Sequence, residues 1–508
     1  MKSFPKVELT HFCRDEASAL QFAAWLAPQF KSGDVIFLNG DLGAGKTTFA
    51  RGVIRALCGG DTAVPSPTFT LVQHYDGVGG PILHADLYRL ESAEEAAELD
   101  LFSSDGLVMV EWGDILLEAD TSTPLGDAKI DLDFIERAGG REVTLRAGEA
   151  VMERFADFET FRTRMDQAHE FLRQAGFDSA ERQPVAGDAS GRRYERLCTR
   201  EGASLMFMDW PQNGPVNPYA EAVGLGTKTA SFTAVAEFLR GQGLSAPEVA
   251  LADYEQGLLL VEDFGEVSMT GMIDGASPFL PLVYGEAVEV LVRLYHCPPP
   301  ACLGTGAHSH DLPIFDRNIL GHEVGLFTQW YLPHIGVTLT DRDEAAWDEL
   351  WQSLSDRLEA ASLPQVLVMR DFHSPNIIWR PGEQGLARLG IIDVQDALIG
   401  SPAYDLVSLL HDARRDVAPE QVDRSYAHYL AATDCDPEAL SCHYHILGAQ
   451  RNLRIAGVFA RLAVRDGRPN YLAHMPRVLG YVNAALAHPD LKALADWLRR
   501  LVPGMVGK

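Results

Sequence analysis

Hydrophobic residues in the first 150 positions form short apolar runs, and these runs alternate with segments of helical period. The run DVIFLNG (34–40) has the pattern of a buried strand, and it leads through a glycine-rich turn into a helix that begins at Thr47. A second, acidic helix is predicted over 92–102, and this alternation is typical of an α/β domain. Further strands are predicted at PTFTLVQHY (67–75), PILHADLY (81–88), LVMVEWGD (107–114), AKIDLDFIE (128–136) and REVTLRAG (141–148).

A different pattern begins after residue 150. An amphipathic segment over 152–177 precedes a glycine-containing loop and a strand at 204–210, and the chain becomes mainly helical after the apolar strand 258–265. The sequence therefore predicts a P-loop domain of α/β type over 1–150 and a second, two-lobed α+β domain over 155–508. Its smaller lobe would span 155–268 and its helical lobe 269–508.

Length and charge limit what these domains can do. A chain of 508 residues exceeds what one hydrophobic core usually serves. Its 43 Lys and Arg against 71 Asp and Glu give a formal charge of -28, which argues against nonspecific binding to RNA or to an anionic membrane. The first 150 residues alone carry 12 basic and 24 acidic side chains. An RNA substrate would therefore need partner proteins to hold it.

The cysteine spacing and the lengths of the apolar runs predict the cellular compartment of the protein. The 7 cysteines include no CxxC pair, which fits a reducing environment better than a disulfide framework. The sequence shows neither a signal peptide nor an apolar run long enough to span a membrane. We expect a cytoplasmic protein.

Residues 40–47 (GDLGAGKT) satisfy the pattern GxxxxGK[ST] between a predicted strand and a predicted helix. Glycines let the backbone amides surround a β-phosphate, Lys46 reaches the β- and γ-oxygens as a catalytic group, and the Thr47 hydroxyl binds Mg²⁺. The sequence thus predicts an ATP site. Its nucleotide-binding residues would be Gly40, Asp41, Leu42, Gly43, Ala44, Gly45, Lys46, Thr47 and Thr48.

A phosphate loop also needs a carboxylate at the end of a neighbouring strand. Asp86 ends the run ILHAD and Glu111 ends the more apolar run LVMVE. We favour Glu111 as the residue associated with the metal.

Four segments in this order resemble the ATPase subunit, of TsaE type, of the bacterial tRNA threonylcarbamoyladenosine machinery. The resemblance implies ATP hydrolysis within a protein complex that modifies the adenosine beside the anticodon. It also implies that Thr47 and Glu111 hold Mg²⁺, that residues 66–69 sense the nucleotide, and that Asp86 and Trp112 serve hydrolysis or the partner interface. The segments are GDLGAGKTTFARG (40–52), SPTFTLV (66–72), HADLYRL (84–90) and VEW (110–112).

Two other P-loop classes compete with this interpretation of the first domain. A nucleotide kinase and a GTPase use the same loop, but the guanine-reading NKxD signature is absent from the sequence, which disfavours the GTPase.

A second chemical motif lies at VLVMRDFHSPNIIW (366–379). Asp371 precedes Asn376 by five positions between two apolar runs, and the strand GIIDVQDA brings Asp393 seventeen positions later. This is the D-x4-N spacing of kinase catalytic loops followed by a metal-binding aspartate. The spacing predicts Asp371 as the group that accepts the proton of a substrate hydroxyl, with Asn376 and Asp393 on Mg²⁺.

These segments, with SPAYDLVSLLHDAR (401–414), resemble the aminoglycoside and choline kinase superfamily over about residues 155–508. Four further segments are most similar to the kinases that phosphorylate the anomeric hydroxyl of N-acetylmuramate and N-acetylglucosamine in cell-wall recycling. The resemblance implies that the loop from Gly187 to Arg193 covers the phosphates of ATP. The segments are 184–197, 258–265, 323–332 and 450–462.

The sequence departs from the general kinase pattern at two places. Met369 stands where catalytic loops commonly have His, and the strand SLMFMDW offers Met208 or Asp209 where a phosphate-pairing Lys is usual. Arg192 or Arg193 would have to replace that cation. Two alternatives stay open for this half: an aminoglycoside-type phosphotransferase, or a module that binds nucleotide without transfer.

Overall fold

The computed structural model describes residues 7–60, 62–77, 79–99, 101–102, 105–118, 128–185, 192–200, 202–212 and 217–505. The chain divides into two compact units, Met1–Ser204 and Leu205–Lys508. The domain division that the sequence predicts near residue 150 stays a prediction.

The first unit is built on a seven-stranded mixed sheet of order β1-β7-β6-β2-β5-β4-β3. The central strand β2 runs parallel to β5 and β6, β4 runs parallel to β5, and the other pairs are antiparallel. Parallel strands place their carboxyl ends at one edge, so Gly40, Asp86 and Glu111 end there together. The strands are β1 (Val7–Cys13), β2 (Val35–Gly40), β3 (Val72–Gly77), β4 (Gly80–Asp86), β5 (Leu107–Glu111), β6 (Lys129–Arg137) and β7 (Gly140–Ala147).

Helices cover this sheet, and a hairpin of β8 (Glu181–Val185) and β9 (Arg193–Cys198) follows them. Asp15 caps the first helix by accepting a hydrogen bond from the Ser18 amide, which is a capping box. Gly52 lets the first two helices approach closely, because a methyl group there would lie 2.7 Å from Ala23 Cβ. The helices are α1 (Glu16–Leu26), α2 (Lys46–Cys58), α3 (Ala93–Ala97), α4 (Asp114–Glu118), α5 (Glu149–Met152) and α6 (Phe158–Gln174).

Helix α6 belongs to the core of the first unit. The Phe161 ring lies 4.9 Å from the Trp25 ring and 5.7 Å from the Phe22 ring, both on α1. The Phe158 ring lies 5.8 Å from Trp25, and the buried His11 imidazole lies 5.3 Å from Phe161. Aromatic burial of this extent makes the segment after residue 150 an integral part of this unit.

Two of the predicted elements are shorter than the pattern suggested. The strand predicted from Pro67 begins only at Val72, because residues 67–71 form a turn in which Leu71 takes a φ of 63°. The acidic helix predicted over 92–102 spans only Ala93–Ala97. In both places the hydrophobic spacing alone did not reveal local turn geometry.

The second unit joins a small antiparallel sheet to a large helical part. Its strands β10 (Ser204–Asp209), β11 (Val249–Asp253) and β12 (Leu258–Glu262) pair in the order β11-β12-β10. Three further antiparallel pairs follow: β13 with β14, β15 with β18, and β16 with β17. Their bounds are β13 (Cys302–Leu303), β14 (His310–Asp311), β15 (Val366–Val368), β16 (Ile377–Trp379), β17 (Leu389–Ile391) and β18 (Leu398–Gly400).

The helical part packs around one long helix, α16, most of which is buried. A methyl group on Gly457 of α16 would lie 2.3 Å from the backbone of Leu326, so only glycine permits this crossing. No helix in the described part of the chain is long and apolar enough to cross a membrane. The helices are α7 (Pro218–Ala222), α8 (Thr229–Gly241), α9 (Met269–Asp274), α10 (Leu280–Tyr295), α11 (Arg317–Leu326), α12 (Leu332–His334), α13 (Asp341–Ala360), α14 (Ala403–Leu410), α15 (Pro419–Ala432), α16 (Pro437–Val464), α17 (Met475–Ala485) and α18 (Lys492–Leu501).

Candidate functional site

The glycine-rich turn between β2 and α2 has backbone angles that would be strained for any residue other than glycine. Gly40, Gly43 and Gly45 have φ values of 145°, 81° and 98°. A methyl group on Gly40 would lie 2.6 Å from the Phe134 carbonyl oxygen, and one on Gly45 would lie 2.8 Å from the Arg141 guanidinium. The turn therefore curls tightly into the first amides of α2, which is the backbone arrangement that binds phosphate.

The Lys46 ammonium lies across this turn. It donates hydrogen bonds to the carbonyl oxygens of Gly40 (2.7 Å) and Asp41 (2.8 Å), and it lies 3.9 Å from the centre of the Trp112 ring. Burial lowers the pKa of Lys46, and the negative charge of Glu111 partly offsets that effect. The other predicted nucleotide-binding residues of this segment, Leu42, Ala44 and Thr48, lie in the same turn or in the first turn of α2.

Thr47 and Glu111, the two residues predicted to hold the metal, lie in contact at the edge of the sheet. The Thr47 hydroxyl donates to both Glu111 carboxylate oxygens, at 2.8 and 3.0 Å. Such hard oxygen atoms are what Mg²⁺ prefers. The described residues contain no cluster of three or more His, Cys, Asp or Glu that could hold a metal ion. Two protein oxygens still fit Mg²⁺, which usually takes its other ligands from phosphates and water.

Asp86 anchors the loop predicted to sense the nucleotide. It lies beside Glu111 in the parallel register of β4 and β5. Its carboxylate accepts a hydrogen bond from the Thr68 hydroxyl (2.6 Å), which is 2.7 Å from the Ser66 hydroxyl. The Tyr88 amide donates to the other carboxylate oxygen at 3.0 Å. The predicted sensing loop is thus tied directly to a carboxylate beside Glu111.

Aromatic side chains are exposed next to this loop. The Phe69 side chain is 81% exposed and that of Tyr88 is 52% exposed. The Arg89 guanidinium lies 4.1 Å from the Phe69 ring centre, and the Tyr88 ring lies 5.0 Å from the Trp112 ring. Large exposed apolar groups of this kind are typical of surfaces that contact another molecule.

Sequence reasoning missed two residues of this site. The fully buried His84 imidazole lies with Nε2 2.9 Å from Glu111 Oε1, and it therefore orients the carboxylate. Its position inside the HADLYRL segment was the available signal. Arg141, which donates to the Gly43 carbonyl oxygen at 3.4 Å, lies almost 100 positions away and no sequence signal marks it.

In the second unit, the predicted catalytic loop connects β15 to β16. The Asn376 side-chain amide donates to the Asp371 carbonyl oxygen at 3.0 Å and closes the loop, which leaves the amide oxygen Oδ1 for a cation. Arg370 takes a φ of 67°, an unusual conformation for a residue other than glycine. Asp371 is half-buried at this turn.

The hairpin of β16 and β17 explains why Asn376 and Asp393 belong together. Ile377 pairs with Ile391, and the Ile392 amide donates to the Asn376 carbonyl oxygen at 3.0 Å. Asp393, the next residue, has a φ of 61°. Both predicted metal ligands thus lie at the same end of one hairpin, and their oxygens are of the type that fits Mg²⁺.

Asp405 holds the backbone of the catalytic loop, and sequence reasoning did not identify it. Its carboxylate accepts hydrogen bonds from the amides of Met369 (2.6 Å) and Arg370 (3.0 Å), while the Ser408 hydroxyl donates to the Arg370 carbonyl oxygen. Burial raises the pKa of Asp405 to about 7, although those amide hydrogen bonds act in the opposite direction. This contact fixes the residues that precede Asp371.

A buried ion pair supports the same loop. The Arg370 guanidinium donates to the Glu323 carboxylate and, at 2.8 Å, to the Val223 carbonyl oxygen. The Gln450 amide donates to the other Glu323 oxygen at 2.8 Å. Burial raises the pKa of Glu323, but Arg454 and Arg370 more than compensate and keep it below its ordinary value. Their separation in sequence is why no pattern indicated this group.

Strand β10, which lacks the phosphate-pairing lysine usual in kinases, is buried at its C-terminal end. Met208 and Asp209 of β10 are both almost fully buried. Arg192 and Arg193, the predicted replacement cations, are half-buried in the first unit, where they line a cavity of about 680 Å³ with Trp25 of α1. Gly187 lies outside the described residues.

Comparison with known proteins separates the two parts of the chain. Residues 13–143 match the family Threonylcarbamoyl adenosine biosynthesis protein TsaE, and residues 181–440 match the Phosphotransferase enzyme family. The TsaE protein of Rickettsia bellii is 41% identical over 119 residues, which cover 23% of this chain and 82% of that protein.

The N-acetylmuramate/N-acetylglucosamine kinase of Caulobacter vibrioides is 36% identical over 349 residues, or 66% of this chain and 95% of that protein. A choline/ethanolamine kinase family structure from Mesorhizobium loti is 17% identical with a TM-score of 0.42, over 66% of this chain and 99% of that one. The resemblances and the fold class predicted from sequence are confirmed. The chain belongs to the phosphotransferase enzyme family through residues 181–440 and carries a TsaE-family domain over residues 13–143.

Proposed function

We propose that this chain is a bifunctional ATP-using enzyme. Its first part would act as the ATPase subunit of the tRNA threonylcarbamoyladenosine modification complex, and its second part as an ATP-dependent kinase for position 1 of N-acetylmuramate and N-acetylglucosamine. The observation that carries the kinase assignment is the loop of Asp371, Asn376 and Asp393 in a chain 36% identical to a kinase named for those sugars.

In the kinase reaction, the Asp371 carboxylate accepts the proton of the anomeric hydroxyl as the sugar oxygen attacks the γ-phosphorus of ATP. The bond from that phosphorus to the bridging oxygen breaks, and ADP leaves. Asn376 and Asp393 would hold Mg²⁺, which neutralises the charge on the phosphate oxygens. Asp405 keeps Asp371 in place through the hydrogen bonds that its carboxylate accepts from the backbone amides of Met369 and Arg370.

In the first part, the glycine-rich turn and Lys46 would hold the phosphates of ATP, with Thr47 and Glu111 at the Mg²⁺. Asp86 would link the nucleotide to residues 66–69, because the Thr68 hydroxyl donates to its carboxylate. The exposed rings of Phe69 and Tyr88 would contact partner proteins. Those partners would carry the tRNA, because the first 150 residues hold twice as many acidic as basic side chains.

Product analysis of the intact protein tests the kinase assignment. Lys46→Ala protein, in which the P-loop is disabled, would be incubated with ATP and N-acetylmuramate, N-acetylglucosamine or kanamycin. We expect a sugar 1-phosphate, identified by phosphorus NMR, from one or both amino sugars. Phosphorylated kanamycin alone would instead support the aminoglycoside alternative.

The buried Met208 and Asp209, in place of a lysine, favour a second candidate for this half: a module that binds nucleotide without transfer. ATP binding with no product from any sugar would support that module and contradict the kinase. For the ATPase, we expect the intact protein to capture tRNA-modification proteins and to hydrolyse ATP faster in their presence.

A further inference from the structure

Helix α16 carries three arginines on one face. Arg451, Arg454 and Arg461 are separated by three and seven residues, and a period of 3.6 brings them within one side of the helix. All three follow residue 440, where the match to the general phosphotransferase family ends.

The carboxylate nearest this face pairs with two arginines. Glu323 accepts from Arg370 at one oxygen and from Gln450 at the other, 2.8 Å away. Arg454 lies 3.9 Å from Glu323 as a second ion-pair partner, and it donates to the Tyr404 hydroxyl at 3.2 Å. The group therefore holds two positive charges against the one negative charge of Glu323.

Four polar atoms of this face lack hydrogen-bond partners in the part of the chain that the structure describes. The Nε atoms of Arg451, Arg454 and Arg461 are buried without a hydrogen bond, and so is the Tyr219 hydroxyl. Arg451 is only 5% exposed. The Arg461 guanidinium lies 5.6 Å from the Tyr219 ring, so these groups are neighbours. A buried donor left unpaired costs about 1–3 kcal/mol, which an anionic ligand would recover.

The face also lies close to the catalytic loop. The guanidinium of Arg370, the residue before Asp371, donates to the Glu323 carboxylate, and Arg454 lies 3.9 Å from the same carboxylate. Glu323 therefore joins the arginine face to the loop that carries Asp371.

We infer that Arg454 and Arg461, with the Tyr219 hydroxyl, bind a carboxylate on the sugar substrate, so that this kinase prefers an acidic amino sugar to a neutral one. The inference rests on the proposed kinase function. Planar guanidinium groups suit carboxylates because two N–H donors can match two oxygens. N-acetylmuramate carries such a group on its lactyl ether, and N-acetylglucosamine does not.

The test compares kcat/KM of the intact protein for N-acetylmuramate, its neutral methyl ester and N-acetylglucosamine. We expect the wild type to prefer the acid to the ester. Arg454→Gln should lower kcat/KM for the acid by about 10- to 150-fold, the cost of one hydrogen bond to a charged group, and lower that for N-acetylglucosamine far less. Arg465→Gln, which removes an exposed arginine paired with Asp466 just beyond the C-terminal end of α16, is the matched control and should change neither.

Only 15% of the Arg454 side chain is exposed, so Arg461→Gln provides a second variant if the first does not fold. Equal losses on all three sugars would overturn the inference and indicate that the arginines serve the phosphoryl group. The absence of any preference of the wild type for the acid over the ester would overturn it as well. Calorimetric measurement of the binding of N-acetylmuramate and N-acetylglucosamine distinguishes failure of this inference from failure of the proposed kinase function. Tight binding of N-acetylmuramate without phosphoryl transfer would contradict only the kinase function. Binding of neither sugar would contradict both the kinase function and the inference.

Discussion

In the first unit, one continuous stretch from Gly40 to Thr47 supplies the backbone amides, the lysine and the hydroxyl of the candidate site, and two strand ends add the carboxylates. In the second unit, the side chains that support Asp371 come from distant segments: Glu323 from α11, Asp405 from α14 and Gln450 from α16. The first site depends on backbone shape, whereas the second depends on tertiary packing. Mutations should therefore separate chemistry from stability cleanly in the first unit and less cleanly in the second.

Asp371→Asn should have the largest effect. It removes the proton acceptor and should lower kcat for sugar phosphorylation by about 10²- to 10⁴-fold, the usual contribution of a general base. Rapid-quench measurement of the sugar phosphate in the presence of excess ATP would show it. ATP hydrolysis at the P-loop should persist, and a variant that retained full phosphorylation would remove Asp371 from the mechanism.

Glu323→Gln should destabilise the second unit by about 3–5 kcal/mol, because it leaves the Arg370 charge buried without its partner. Urea unfolding followed by tryptophan fluorescence measures this change. Asp356→Asn, which breaks the exposed pair of Arg317 and Asp356, should cost at most about 1 kcal/mol. Similar losses of unfolding free energy in Glu323→Gln and Asp356→Asn would mean that the buried ion pair contributes no more to stability than an exposed one.

Lys46→Ala should lower P-loop ATP hydrolysis by about 10²- to 10³-fold, the loss typical of one positioned electrostatic donor. The unfolding free energy should fall by only about 1–3 kcal/mol, because the substitution removes the two hydrogen bonds from Lys46 to the carbonyl oxygens of Gly40 and Asp41. We expect sugar phosphorylation to stay at the wild-type rate. A parallel loss of phosphorylation would show that the two activities are coupled.

Asp405 gives the smallest effect, visible as a pH dependence of stability. Its pKa of about 7 in the folded protein exceeds the value of about 4 for an unfolded aspartic acid. The folded state therefore holds a proton that the unfolded state has released, so this contribution to stability is full below about pH 4 and is lost as pH rises through about 7.

Asp405→Asn should remove that dependence. The difference in unfolding free energy between wild type and variant should fall by up to about 1.4 kcal/mol per pH unit between pH 5 and 7. Urea titrations at four pH values would measure it. Parallel curves for the two proteins would place the pKa of Asp405 outside this window.

The same contrast between the two sites explains which of their residues could be predicted from the sequence. The turn from Gly40 to Thr47 and the strand ends at Asp86 and Glu111 could be located in advance, because their chemistry is encoded by neighbouring residues. The spacing of Asp371 and Asn376 was equally local. Single-chain patterns could not reveal Glu323, because its partners lie 47 and 127 positions away and only packing brings them together.

The aromatic packing of α6 on α1 determines where the chain can be divided into separately expressed parts. The stretch between the two family matches includes Phe158 and Phe161, whose rings lie against Trp25. Helix α6 is therefore part of the first unit's core although it lies outside the TsaE match. Cutting the gene at the end of that match, after residue 143, would remove part of this core.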